Sequence, residues 1–349
     1  MVILGIDAHK RTHTVVAIDE AGRKLGEKTT RSTTTEANLE ILRWADSFGT
    51  ERRFAVEDCR HLSRRLEADL LGAGEELVRV PPKLMAHARD AARTYGKSDP
   101  IDALAVARAA WREPDLPVAR LDGPSRDLRL LVEHREDLVK DRTAQVNRLR
   151  WHLHELDPSW DPAPRSLVRF KTLDATAARL ERFDGTVAWV AGDLVARIRE
   201  LTVAANDLER RIAEQVRTLA PTLLALPGVG ALTAAKIVAE VADVRRFRSK
   251  DCFARHNGTA PLPVWSGNKV RHRLSRTGNR QLNAAIHRIA ITQMRIHDPA
   301  KDYLARRIAM GNTKTEALRA LKRRLSDVVF RALLVDADTA AEGSFSEAA

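Results

Sequence analysis

VILGIDAHKRTHTVVAID, residues 2–19, decides the fold of the first part of this chain. VILGID (2–7) is an apolar run with β-branched members, and HTVVAID (13–19) is a second one after a short turn. AGRK then supplies another turn, so the pair predicts a β-hairpin. Downstream, TEANLEILRWADSF (35–48) sets Leu39, Ile41, Leu42, Trp44, Ala45 and Phe48 at helical spacing. RRFAVED (52–58) reads as a strand. Leu62, Leu66, Leu70 and Leu71 return to a helical period over 60–72, and ELVRVPP (76–82) is a short strand ended by two prolines. A hairpin followed by alternating helix and strand predicts an α/β domain with a mixed sheet over residues 1–115.

The chain has 349 residues, a formal net charge of +12 and only two cysteines, Cys59 and Cys252. The length calls for two or three domains. The charge attracts phosphate backbones, which puts nucleic acid ahead of other partner classes. The cysteines lie far apart and lack CxxC spacing, which excludes a zinc knuckle or a disulfide framework and fits a reducing cytoplasm. The opening MVILGIDAHK has an apolar run too short for a signal peptide, and no stretch reaches the ~20 apolar residues of a membrane span. The expected location is the cytoplasm, at the nucleoid, with no membrane partner.

From 116 the pattern changes. Leu128, Leu131, Val132, Leu138, Val146, Leu149 and Leu153 recur by threes, fours and sevens, and so do Leu194, Val195, Ile198, Leu201, Leu208, Ile212 and Val216. Two long amphipathic helices are predicted, broken by the Pro-rich DPSWDPAP (157–164). They suit an antiparallel pair, a coiled-coil arm making dimers, or helices packed on their own domain. Residues 116–219 are thus a helical, coiled-coil-like connector. Residues 220–332 are a mainly helical C-terminal domain with one long Gly- and Arg-rich loop. The small, polar tail 333–349 is expected to be disordered.

Acidic residues fall at the ends of the N-terminal elements. Asp7 closes the first strand in GID, Glu57 closes another in AVED, and Asp99 and Asp102 stand three apart in KSDPIDALAVARAA. Mg²⁺ takes oxygen ligands in an octahedral array. Carboxylates at neighbouring strand ends plus an i,i+3 pair at a helix start can converge on one pocket and hold two ions about 3.5–4 Å apart. A plain structural account stands beside this. Asp at a strand end forms turns, and Asp99-Pro100-Ile101-Asp102 fits an N-cap, an N1 proline and the acid of a capping box. Asp58 competes with Glu57, because strand alternation puts the two on opposite faces.

The C-terminal part holds a second constellation. LPGVG (226–230) suits a helix-hairpin-helix turn, in which Gly228 and Gly230 let the backbone approach a phosphate, and suits a plain helical corner equally well. Between Gly258 and Asn283 lie Trp265-Ser266-Gly267, Lys269, Arg271, Arg273, Arg276, Gly278, Asn279 and Arg280. Arginines in a loop that leads into a helix make a phosphate-binding surface, or a solvated basic loop. On this ground alone Ser266 is a turn serine as readily as a nucleophile.

Together these pieces resemble the RuvC-like DEDD transposases of the family named for insertion sequence one-hundred-and-ten, the bridge-RNA-guided recombinases. The resemblance rests on GID after a strand and hairpin, a strand ending in Glu, and KSDPIDA. It continues in the C-terminal domain through LPGVG, Gly258, Pro261, Ser266-Gly267, Arg276 and Gly278-Asn279, and covers 1–112 and 220–330. Val264-Trp265 depart from the more polar residues expected before the serine. The resemblance implies an RNase H-like N-terminal domain whose Asp7, Glu57, Asp99 and Asp102 hold Mg²⁺, as one or two ions, with Mn²⁺ able to substitute. It implies a helix-hairpin-helix C-terminal domain with Ser266 as catalytic serine. It further implies a DNA transposase that excises and inserts its insertion sequence through a covalent phosphoserine-DNA intermediate. The partners so implied are double-stranded DNA at the element ends and target, a non-coding bridge RNA, and further copies of the chain in a dimer or tetramer.

Three other functions compete. A RuvC-like endonuclease would use the same acids with water as nucleophile. An inactive nucleic-acid-binding scaffold would not need four intact acids. An actin-like sugar kinase also carries GID at a strand, but no phosphate-binding glycine loop of that kind follows in the N-terminal half.

Overall fold

The apolar run that opens the chain is a central strand. In β1 (Val2–Ala8) every residue after Val2 is buried, as expected where helices cover both faces of a sheet. The computed structural model describes residues 1–82, 84–85, 98–113, 116, 118–120, 123–266, 269–274 and 278–346. Of these, 60–61, 263–266, 269–274 and 341–346 are described by backbone alone. The chain divides into two compact units, Met1–Asp122 and Gly123–Ala349.

In the first unit β1 pairs antiparallel with β2 (His13–Ile18), which pairs antiparallel with β3 (Lys24–Thr29). On its other side β1 pairs parallel with β4 (Arg52–Glu57), and β4 pairs parallel with β5 (Leu77–Val80). The order β3-β2-β1-β4-β5 is that of an RNase H-like sheet. β3, KLGEKT, was not expected as a strand. It is a largely exposed edge strand, and its charges and glycine are what keep an edge from pairing with other chains.

One face of this sheet packs on α1 (Thr35–Ala45) and α2 (Arg60–Gly72), through Leu4, Ile6, Phe54, Val56, Ile41, Leu66 and Leu70. The other face, with Ile3, Ala55, Val78 and Val80, takes α3 (Asp99–Arg112) through Ala103, Val106, Ala107 and Ala110. Contact here is backbone to backbone. A Cβ on Gly5 would lie 2.3 Å from Ala103 O and 2.3 Å from Ala107 N. Only glycine on the strand and alanine on the helix allow that approach.

The start of α3 corrects the capping expectation. Ser98, not Asp99, is the N-cap residue, and it makes no side-chain cap bond. Asp99 and Pro100 are already in the helix, so Asp99 is not the cap and Asp102 is not the third residue of a capping box. Proline's fixed φ is tolerated in this first turn, which lets the helix begin one residue earlier.

The second unit begins with α4 (Pro124–Leu156), followed by α5 (Phe170–Leu180) and α6 (Thr186–Leu219). Arg135 reaches Glu209 at 2.6 Å and Arg142 reaches Thr202 at 3.3 Å, so α4 and α6 run antiparallel. At one end of the pair Leu149, Leu153, Trp160, Leu173, Leu194 and Ile198 form a small core. At the other, Leu128, Val132, Ile212 and Val216 join a larger core. It is completed by α7 (Pro221–Leu224), α8 (Ala231–Val241), α9 (Lys250–His256), α10 (Arg280–Ile296), α11 (Asp298–Ala309) and α12 (Lys314–Ser346). The connector expected at 116–219 and the domain expected at 220–332 therefore share one unit from Gly123 on.

Two further features differ from expectation. The loop between α9 and α10 contains a hairpin, β6 (Pro261–Ser266) and β7 (Lys269–Leu274). The tail expected to be disordered from 333 is helical through Ser346. Leu333 and Asp336 are buried, and Asp336 accepts from the backbone N–H groups of Thr222 at 2.8 Å and Leu223 at 3.1 Å. Alanine-rich sequence has strong helix propensity, and this tertiary cap fixes it. Among the described residues no helix is long and apolar enough to cross a membrane.

Candidate active site

Asp7 leaves β1 two residues after Gly5, on the face that takes α3. It is 8 % exposed. The close approach at Gly5 brings the start of α3 to the same place, and with it Asp99, which is half exposed, and Asp102, which is buried. Burial raises the Asp7 pKa above the usual carboxylate range; a hydrogen bond and the charge of His9 work against this, and the carboxylates of Asp102 and Asp99 add to it.

His9 was passed over in the sequence. It lies two residues beyond Asp7, on the same side of the strand line. Its Nε2 is 2.9 Å from Asp7 Oδ2 and 3.5 Å from Asp99 Oδ1. Asp7, His9 and Asp99 offer ligand atoms that all lie within 4.8 Å of one another. The usable signal was Asp-x-His at a strand end, a spacing that puts both side chains on one face.

Glu57 is the last residue of β4. Ile6 pairs with Val56, so one step further places Glu57 beside Asp7 and on the same face. Asp58 follows the strand, and its backbone N–H donates to Val80 O at 3.0 Å. Alternation thus sorts Glu57, not Asp58, with Asp7. The acidic field extends to Cys59, whose thiol is pushed up to about 11 by burial first, then by Glu57, with Glu67 and Asp7 adding to it.

In the second unit Ser266 ends β6 and pairs with Lys269, the last pair of the ladder; Val264 pairs with Arg271 and Leu262 with Arg273. By register Ser266, Lys269, Arg271 and Arg273 hold positions on one face of the ladder. Arg276 lies outside the described residues. Arg280 is the exposed first residue of α10. Asn279 is engaged within the fold: its Oδ1 accepts from Leu282 N at 2.9 Å and its Nδ2 donates to Glu240 at 2.7 Å. Gly228, at φ +79°, faces α10, where a Cβ would come within 3.2 Å of Gln293. Gly230 precedes α8 with open space around it.

Comparison with known proteins matches two stretches of the chain, the first of which continues past the boundary of the first unit. A transposase profile of the IS110 DEDD class matches residues 4–158, and one described as the transposase IS116/IS110/IS902 family matches residues 220–305. An uncharacterized 44.8 kDa protein of insertion element IS116 from Streptomyces clavuligerus is 30 % identical, over 95 % of this chain and 94 % of that protein. An uncharacterized 42 kDa protein of insertion element IS900 from Mycobacterium paratuberculosis is 28 % identical, over 94 % of each. The transposase for insertion sequence element IS1111A of Coxiella burnetii is 26 % identical, over 81 % of this chain and 75 % of that one. A solved structure of T. thermophilus RuvC in complex with a Holliday junction substrate aligns at 16 % identity and a TM-score of 0.28, over 34 % of this chain and 99 % of that one.

Proposed function

This chain belongs to the IS110 family of insertion-element transposases, and from that premise we propose that it cuts and rejoins DNA at the ends of its own element and at a target. The observation that carries the proposal is the cluster of Asp7, His9 and Asp99, with the charge of Asp102 felt at Asp7, on the sheet face that also bears Glu57. A buried carboxylate, Asp7, whose proton affinity is raised by burial and by two neighbouring carboxylates is poorly placed on its own and well placed beside a hard divalent cation. The donor set is mainly oxygen, which suits Mg²⁺ or Mn²⁺ at Asp7, Glu57, Asp99 and Asp102, as one ion or two. When bound, such a cation supplies Lewis-acid withdrawal of charge from a scissile phosphate. His9 holds Asp7 in place through the hydrogen bond at its Nε2, with Asp99 alongside.

The nucleophile in this proposal is Ser266. Its Oγ attacks phosphorus, the P–O3′ bond breaks, and the serine proton passes to the departing 3′ oxygen. The product is a 5′-phosphoserine DNA strand and a free 3′-hydroxyl; reversal onto another 3′-hydroxyl rejoins strands without a nucleotide cofactor. Lys269, Arg271 and Arg273, on the serine's face of the ladder, together with Arg276, neutralise the phosphate. Sequence choice is delegated to a bridge RNA that pairs with donor and target DNA. The chain works in the cytoplasm, at the nucleoid, as a dimer or tetramer.

A labelled duplex spanning the element end, with RNA transcribed from the flanking sequence, should become covalently attached to the protein in Mg²⁺. Ser266→Ala should abolish the adduct, and so should removal of divalent ions. An adduct that survives in Ser266→Ala removes the serine from the mechanism. The acids lie wholly within the first unit, which also favours a second reading, a RuvC-like endonuclease with water as nucleophile. Hydrolysed 5′-phosphate ends formed with no adduct at any time would select it.

A further inference from the structure

Ser266 stands at the far end of a two-stranded ladder, as the sixth and last residue of β6. Six residues of strand span about 17 Å, and the two feet stand about 5 Å apart. A shift of about 1 Å in one foot therefore moves the tip by roughly 3–4 Å, where a misplacement of about 1 Å already costs about a hundredfold in rate. The feet carry a polar network that the reaction proposed above does not use. Before β6, Asn257 is fully buried; its Nδ2 donates to Ser326 Oγ at 2.8 Å and its Oδ1 accepts from Thr259 N at 3.0 Å. In the first turn of α10, the helix that follows β7, Asn283 Nδ2 donates to Asn257 O at 2.7 Å, and Asn283 Oδ1 accepts from Lys322 Nζ at 2.6 Å. Ser326 and Lys322 both belong to α12, so both feet are tied to one long helix. The backbones of the two feet also touch. Asn279 N donates to His256 O at 2.6 Å, and a Cβ on Gly278 would lie 2.4 Å from Gly258 N.

Packing alone does not account for Lys322. Its side chain is 8 % exposed, and burial holds its pKa below that of an ordinary lysine. Its hydrogen-bond partner here is an amide oxygen, which compensates a buried ammonium poorly. A leucine or methionine would fill the same space without burying a charge.

We infer that Asn257, Asn283, Lys322 and Ser326 are positioning residues that clamp both feet of the hairpin to α12 and so fix where Ser266 sits during strand attack. The inference rests on Ser266 being the nucleophile. The test uses the full-length protein with the labelled element-end duplex and the flanking RNA, and reads three quantities: thermal midpoint, DNA affinity, and the rate of covalent adduct formation at saturating DNA. In Lys322→Met the adduct rate should fall about 10- to 100-fold while affinity stays within about twofold, because misplacement acts on the chemical step. The thermal midpoint should hold or rise, since a buried charge has gone; a residue that merely stabilised the fold would lower it. Lys322→Arg, which restores the donor, should recover part of the rate. Ser326→Ala cuts the tie of the other foot and should show the same loss of rate at unchanged affinity. Wild-type rates in Lys322→Met and Ser326→Ala, with Ser266→Ala inactive, overturn the clamp and leave the nucleophile standing. A rate that falls only in step with the folded fraction overturns it too. An adduct that persists in Ser266→Ala removes the nucleophile, and the clamp with it.

Discussion

Asp7 leaves a strand that is buried on both faces, and it is held by main-chain contact. Gly5, Ala103 and Ala107 bring strand and helix so close that the acids at the two ends have nowhere else to go. Ser266 stands on two paired strands, whose feet are held by amides, a hydroxyl and an ammonium drawn from 39 to 69 residues away. The first region is rigid because nothing fits between its elements. The second is rigid only while each polar bond is made. A steric device tolerates changes in charge and fails on a change of one methyl group. A polar device does the reverse.

The largest effect that would break the comparison is expected at the acids. Asp102→Ala, followed by a strand-cleavage assay in Mg²⁺, should lower cleavage by about a thousandfold, the scale of removing a preorganised electrostatic group. DNA affinity measured by gel shift should be retained. Cleavage near the wild-type rate would show that the packed face positions nothing of chemical use.

Gly5→Ala comes next. An added methyl must push α3 off the sheet, and overpacking of this kind costs about 3 kcal/mol, roughly 10 °C in the midpoint of a domain this size. Calorimetry should show the loss, and cleavage should fall even below the new midpoint, because Asp99 and Asp102 move with α3. An unchanged midpoint would mean that the close approach carries no energy.

A smaller effect separates the regions by pH. Burial, with a lesser contribution from the charge of His9, lowers the pKa of His13 in β2 from 6.5 to about 4. The folded state then binds fewer protons than the unfolded chain between those values, so stability is full above about pH 6.5 and falls as pH drops toward 4. The expected loss is at most about 3 kcal/mol between pH 7 and 4. Denaturant midpoints across that range check it, and His13→Gln should flatten the acid limb. A midpoint independent of pH would show that the His13 imidazole is not held neutral.

How much of this could be read in the sequence follows the same division. The run of 2–7, the strand end at Glu57 and the Asp-Pro start of α3 are local patterns, and the helices and sheet ladder formed close to where those patterns put them. β3 was missed because an edge strand is selected to look unlike one: KLGEKT has charges where a buried strand has valines. His9 was missed because Asp-x-His at a strand end is a common spacing, and only α3, by delivering Asp99 beside it, sets this one apart. The hairpin was read as a loop, since Pro261 and Pro263 argue against a strand and the arginines hide the alternation. Its feet were beyond reach in principle. Asn257 meets Ser326 and Asn283 meets Lys322 only after α12 has folded back, and nothing near either asparagine announces a partner that distant.

The antiparallel course of α4 and α6 has a topological consequence. Chain entry near Leu128 and chain exit near Val216 join the same core, while Leu149, Trp160 and Leu194 close a separate cap at the far end. The arm is thus an excursion that returns to its starting point. Its reach is a free variable: removing or adding matched turns in both helices would shorten or extend it, while the residues that seal the base keep their neighbours.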